Sequence, residues 1–155
     1  MKTSLLATLM LAAVSAQADE LVMHTVSMHH QSEWYRPNEV APSGSVNNIN
    51  PGMGFVTDAG WTAGGYRNSF RHNTLYVGRQ FMWDIGTANR RQVQAGFALL
   101  ATSGYKVVSN KNITPGGGLA LRMPLTEKVT AVVVGFPKVG TGTIGYMHLA
   151  IGYKL

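Results

Sequence analysis

The C-terminal run 146–155 alternates strictly. Met147, Leu149, Ile151, Tyr153 and Leu155 fall on one side of an extended chain, and Tyr146, His148, Ala150, Gly152 and Lys154 on the other. Successive side chains of a strand point to opposite faces, so this run predicts a strand with one greasy face and one small or polar face. Residues 92–105 repeat the pattern, with Val93, Ala95, Phe97, Leu99 and Ala101 opposite Gln92, Gln94, Gly96 and Ala98. A helix competes for that run, but Gly96 in its middle and the neighbouring Val and Phe favour a strand. Between residues 48 and 81, three Gly- and aromatic-rich runs (52–56, 61–66 and 75–81) are separated by Asp58-Ala59-Gly60 and by the polar residues 67–73. That is the signature of a β-meander.

The rest of the chain fits the same scheme less cleanly. Residues 21–30 predict a strand with Val22, His24, Val26 and Met28 on one face. A turn is expected at 87–91 and a polar connection or short hairpin at 106–114. Residues 115–125 form an interrupted strand with Pro124 at its end, where a strand tolerates proline. Residues 129–136 are apolar on both faces, and a turn beginning at 137 leads into the last strand from about residue 143. Residues 31–49, with Pro37, Pro42 and Gly44, predict a long loop, and such loops are usually functional or disordered. Trp34 and Tyr35 within it suggest packing against something, as a lid or a membrane-interface anchor. No second domain, repeat or amphipathic helix is evident. The expected fold is all-β, a single antiparallel up-and-down β-barrel of about eight strands, with a sandwich as the competing arrangement.

An apolar-out, polar-or-small-in dyad suits a barrel whose wall faces lipid and whose lumen does not. A soluble periplasmic barrel with one buried face per strand is the rival. Two features favour that rival: weak alternation in the first, sixth and seventh strands, and Arg79 on the face of Leu75, Val77 and Phe81. A lipid-facing Arg near the bilayer midplane costs about 2–4 kcal/mol.

The address is read from the start of the chain. Lys2, an apolar core over 5–14 and Ala16-Gln17-Ala18 ahead of Asp19 predict a cleaved secretory signal peptide over residues 1–18. The apolar run is too short to span a membrane as a helix. Residues 19–155 would then be a single domain. The chain has no cysteine, so it is built without disulfides. Its formal net charge of +6 could suit outer-membrane lipid or lipopolysaccharide as a partner, but Lys and Arg are scattered rather than clustered, which favours plain solubility. Without a basic run, nucleic acid is not an expected partner.

Candidate chemistry is sparse. Tyr66, Arg67, Asn68 and Arg71, with Ser69, are candidates for holding a phosphate or carboxylate, and Trp34 and Tyr35 for binding a partner. Asn and Ser equally favour turns by bonding their own backbone. For catalysis, a rim His acting as base on a Ser would use His30 or His72 with Ser32, Ser69 or Ser103. His29 and His30 point to opposite faces, and His24 and His30 would stand about 20 Å apart along a strand, so no metal is expected. No cofactor is expected either. The glycine-containing stretches at 50–52 and 115–118 lack a following helix and read as turns or sheet bends rather than phosphate loops.

The ending His148-Leu149-Ala150-Ile151-Gly152-Tyr153-Lys154-Leu155 resembles the C-terminal assembly signal of bacterial outer-membrane barrels, with Ala150 in place of Gly and Leu155 in place of a final Phe. That resemblance implies the outer-membrane assembly machinery as a partner. Asn48-Ile49-Asn50-Pro51-Gly52-Met53-Gly54, Gly65-Tyr66-Arg67-Asn68-Ser69, Leu75-Tyr76-Val77-Gly78 and Gly104-Tyr105 resemble a group of small exported proteins of proteobacteria and their phages. This second resemblance implies export and no particular activity. Size, leader and strand number also resemble the small outer-membrane enzymes that add or remove acyl chains on lipid A. Their motifs do not match this chain, so no catalytic residue carries over. Three readings follow: an exported outer-membrane barrel with a structural, binding or surface-modifying role, an acyl-modifying outer-membrane enzyme, and a soluble periplasmic binding module.

Overall fold

The period-two pattern closes on itself. In this computed structural model, which describes residues 19–29, 47–106, 110–137 and 145–155, the strands are β1 (Glu20–His29), β2 (Ile49–Val56), β3 (Trp61–Arg67) and β4 (Asn73–Ala88), followed by β5 (Arg91–Ser103), β6 (Ile113–Pro124), β7 (Val129–Phe136) and β8 (Tyr146–Lys154). Each pairs antiparallel with its sequence neighbour, and β8 pairs with β1, so the sheet is a closed up-and-down barrel. Closure removes the exposed strand edges that an open sheet would have to protect. The expected leader, His30, Ser32, Trp34 and Tyr35 lie outside the described residues.

The barrel has two unlike ends. Asp19 and Leu155 share one end with the short connections 57–60, 89–90 and 125–128. The connection at 89–90 is a two-residue hairpin turn in which Asn89 and Arg90 both take left-handed φ values, 51° and 62°. Such turns match the strand twist and let β4 and β5 run on as one long ribbon. At the opposite end β1, β3, β5 and β7 finish and β2, β4, β6 and β8 begin. There the β6–β7 ladder stops at Leu119 and Gly135, so among the described residues the start of β6 is unpaired on that side.

One expectation about facing is corrected. Val22, His24, Val26 and Met28 do not share a face, because the register slips between His24 and Val26. This β-bulge makes Thr25 the extra residue, and its hydroxyl donates to the Leu149 carbonyl at 2.7 Å. Beyond it the parity of the strand is reversed. Val22 and Ser27 are buried in the lumen, whereas Val26 and Met28 are exposed on the wall.

With that bulge included, in-out alternation runs round the barrel. Exposed apolar side chains on the outer wall include Met23, Met53, Trp61 and Leu75 on β1 to β4, and Leu99, Leu119 and Leu149 on β5, β6 and β8. On β7 the outward positions are half-buried or buried Val129, Ala131 and Val133. Arg79 is a charged side chain on that wall, partway along β4 but level with the start of β3. Arg79 pairs with Trp61, the first residue of β3, and its Nε–H donates to the Ala59 carbonyl in the adjoining turn at 3.2 Å. Its guanidinium lies 5.6 Å and 5.1 Å from the Trp61 and Phe81 ring centres. It thus reaches from the wall to the rim, stem on the apolar surface and head toward the turn.

Inside, three layers fill the lumen. Near the termini, Arg122 is ion-paired with Glu20, and its Nη1–H donates to Gln80 Oε1 at 3.5 Å. Val22, Val56, Val132 and Ala150 form a small apolar cluster above that pair. Beyond the cluster lies a layer of His, Tyr and Ser. Glycine makes room for the large groups at two places. A Cβ on Gly54 would come within 2.0 Å of the Tyr76 hydroxyl, and one on Gly152 would strike the Glu20 carboxylate.

Candidate functional site in the barrel lumen

The Asn- and Gly-rich motifs of β2, β3 and β4 are the lumen side of one half of the barrel. Gly54 pairs with Gly64, and Gly64 in turn with Tyr76, so the small residues leave a notch that the Tyr76 ring fills. Asn50 and Asn68 are wholly buried at the end of this wall. Asn68 holds the 68–72 turn together. Its Oδ1 accepts from the backbone N–H groups of Phe70 and His72, both at 3.0 Å, and its Nδ2 donates to Thr74 Oγ1 and the Gly104 carbonyl. Asn50 Nδ2 donates to the Arg67 carbonyl at 2.9 Å, while its Oδ1 has no hydrogen-bond partner among the described residues.

Across the lumen, β1 and β8 present Ser27 and His148 as direct cross-strand partners. Ser27 Oγ lies 2.9 Å from His148 Nδ1, and His148 Nε2 lies 2.8 Å from His24 Nδ1. His24 Nε2 in turn lies 2.9 Å from Tyr76 Oη. With both imidazoles neutral, two proton orders satisfy this chain. In one, Ser27 donates to His148, His148 to His24, and His24 to Tyr76. In the other, every bond is reversed. A second network adjoins the first: Tyr66 Oη is 2.7 Å from Tyr105 Oη, and Tyr146 is hydrogen-bonded to Tyr66 as well. Tyr66 also packs 5.1 Å from the His24 ring and 5.7 Å from that of His148.

The residues singled out from the sequence scatter around this cluster. Tyr66 belongs to it. Arg67 and Arg71 are exposed, and Arg71 has a left-handed φ of 65°. Asn68 is the turn-holding residue just described. Ser69 is buried, its backbone carbonyl accepts from Asn47 N–H, and its hydroxyl lies 3.5 Å from Asn50 Nδ2. His72 is exposed, and among the described residues no hydrogen bond joins it to Ser69. Ser103 Oγ accepts from the Leu75 N–H at 2.9 Å. Among the described residues no group of three His, Cys, Asp or Glu side chains is placed to hold a metal.

Nothing in the sequence singles out Ser27. His24 and Ser27 are three apart, which on a regular strand puts them on opposite faces. Only the bulge at Thr25 returns both to the lumen. The available signal was the failed alternation of β1 itself.

The fold defines the class: a closed eight-stranded antiparallel barrel with a side-chain-filled lumen and an apolar outer wall. No protein-family model matches the chain, and no curated protein matches it at a significant level.

Proposed function

We propose that this chain is a small bacterial outer-membrane barrel that serves at the cell surface as a non-conducting structural, binding or surface-modifying protein. The observation that carries the reading is the outer wall. It exposes large apolar side chains on seven of the eight strands, while Glu20, Arg122, His24 and His148 are turned inward. Such an inside-out distribution suits a barrel solvated by acyl chains. Large apolar side chains exposed on so many strands are unusual for a soluble monomer. The sequence features support export: the expected leader and the C-terminal strand, which carries the pattern that resembles the outer-membrane assembly signal. The filled lumen argues against a pore.

In this reading the end with the longer connections faces outward and meets lipopolysaccharide or a surface partner. The resemblance to phage-borne proteins suggests a further role, altering the host surface so that other phages no longer adsorb.

Gel migration and fractionation test the reading. The folded protein is expected in the outer-membrane fraction, to need detergent for extraction, and to migrate faster unheated than boiled. Recovery in the periplasmic extract without detergent would contradict it.

A further inference from the structure

A buried serine can bond a histidine merely to satisfy its hydroxyl. In this lumen the pair has two further attributes. A second imidazole holds the far nitrogen of the first, and an apolar cleft begins one inward-facing register step from the serine.

The cleft has a volume of about 500 Å³. Met28, Leu119 and Met147 line it from the outer wall, and His29, Phe136 and Tyr146 from the inner face, so it lies at the strand ends beside the point where the β6–β7 ladder stops. On Tyr146 the ring of Phe136 is stacked at 4.6 Å and that of His29 at 5.6 Å. The His29–Tyr146 pair is the next inward-facing register step from Ser27–His148, about 7 Å along the strands. Ser27 is 3 % exposed, so these stacked rings must part for anything to reach it. Among the described residues no Lys, Arg, Asp or Glu lines the cleft, which suits an acyl chain better than a sugar or an anion.

We propose that Ser27, His148 and His24 form a nucleophilic hydrolase site for carboxylic esters of long-chain acids. The acyl chain lies on Met28, Leu119 and Met147, and the ester carbonyl enters past Tyr146. Ser27 and His148 are the catalytic residues, as nucleophile and general base, and His24 is a positioning residue. Ser27 Oγ attacks the ester carbon and its proton passes to His148 Nδ1. His148 Nε2–H remains donated to His24 Nδ1, which fixes the tautomer and steadies the imidazolium. Collapse of the tetrahedral intermediate breaks the ester C–O bond, and the departing alkoxide takes the proton from His148 Nδ1. Water then hydrolyses the acyl-Ser27 ester through the same base, releasing the carboxylic acid and restoring the serine.

That the ester belongs to a membrane lipid rests on the outer-membrane reading; the reactivity of Ser27 does not. The test uses the full chain, refolded in detergent micelles, and an alkyl fluorophosphonate, which phosphonylates activated serines. Heat-dependent gel migration of each variant reports folding independently. Labelling should fall on Ser27 alone, vanish in Ser27→Ala and drop at least about 100-fold in His148→Phe. His24→Asn, which keeps an acceptor for His148 Nε2–H, should retain most labelling, whereas His24→Leu should lose it. Wild-type protein should also release p-nitrophenol from p-nitrophenyl palmitate, and Ser27→Ala should not. A folded wild-type barrel that takes no label, or a label that persists in Ser27→Ala, would overturn the proposal.

Discussion

At the lumen end beside the termini, Arg122 and Glu20 meet as full charges, with side chains only 13 % and 11 % exposed. Beyond the apolar layer, Ser27, His148, His24 and Tyr76 bridge the lumen as a chain of groups that can all be neutral. The two regions answer the same problem, polar atoms inside a closed wall, by opposite means. An ion pair is rigid in what it demands: each partner is costly to bury without the other. A neutral imidazole chain has no such penalty, and its protons can run in either direction. The first arrangement suits a plug and the second a site where a proton moves.

The largest expected effect comes from breaking the ion pair. Arg122→Leu leaves Glu20 buried without its cation and should lower stability by about 3–5 kcal/mol. The double change Arg122→Leu with Glu20→Met should recover most of that loss. Urea unfolding in detergent micelles, followed by tryptophan fluorescence, measures both. A double variant as unstable as the single would show that the charges do more than neutralise each other.

Overfilling the notch at the imidazole end comes next. Gly54→Val forces its side chain into the Tyr76 hydroxyl, at a cost of about 1–3 kcal/mol. Unfolding under the same conditions tests this, and an unchanged midpoint would mean that the notch is slack. Tyr76→Phe removes one neutral hydrogen bond from the chain and should cost about 1 kcal/mol. If Tyr76→Phe proved as damaging as Arg122→Leu, the contrast between the two ends would disappear. Smallest is Arg79→Leu on the wall, expected to change stability in lipid bilayers by no more than about 1 kcal/mol, because Arg79 sits beside the turn rather than at mid-wall. A gain of several kcal/mol would place it deep in the bilayer.

Much of this architecture was readable in the chain. Strict alternation in β8 and β5 gave both strands and their facing, since period two is visible wherever no residue is inserted. Gly- and Asn-rich runs located β2, β3 and β4, although their meaning as a lumen wall depends on which strands meet. In β1 the alternation broke because Thr25 is an extra residue, and a bulge leaves no composition signal of its own. β6 looked interrupted because its inward positions are Gly116, Gly118 and Ala120, small residues that make room for larger side chains from neighbouring strands. β7 read as apolar throughout because the middle of the lumen is itself apolar at Val132. Arg79 looked like an objection to a lipid-facing wall because sequence gives its face but not its height. The Ser27–His148–His24 chain was out of reach for a further reason. It joins β1 to β8, residues far apart in sequence whose meeting exists only once the barrel has closed.

Because the chain has no cysteine, single cysteines can be introduced along β8 and carry a nitroxide without background. The most direct test of the apolar wall is the collision rate of that label, in lipid vesicles, with oxygen and with a water-soluble nickel chelate. If the wall faces lipid, labels at Met147, Leu149, Ile151 and Tyr153 will collide freely with oxygen and hardly with nickel, and labels at His148 and Ala150 will be shielded from both. Free access of nickel to the four odd-numbered positions would contradict the account.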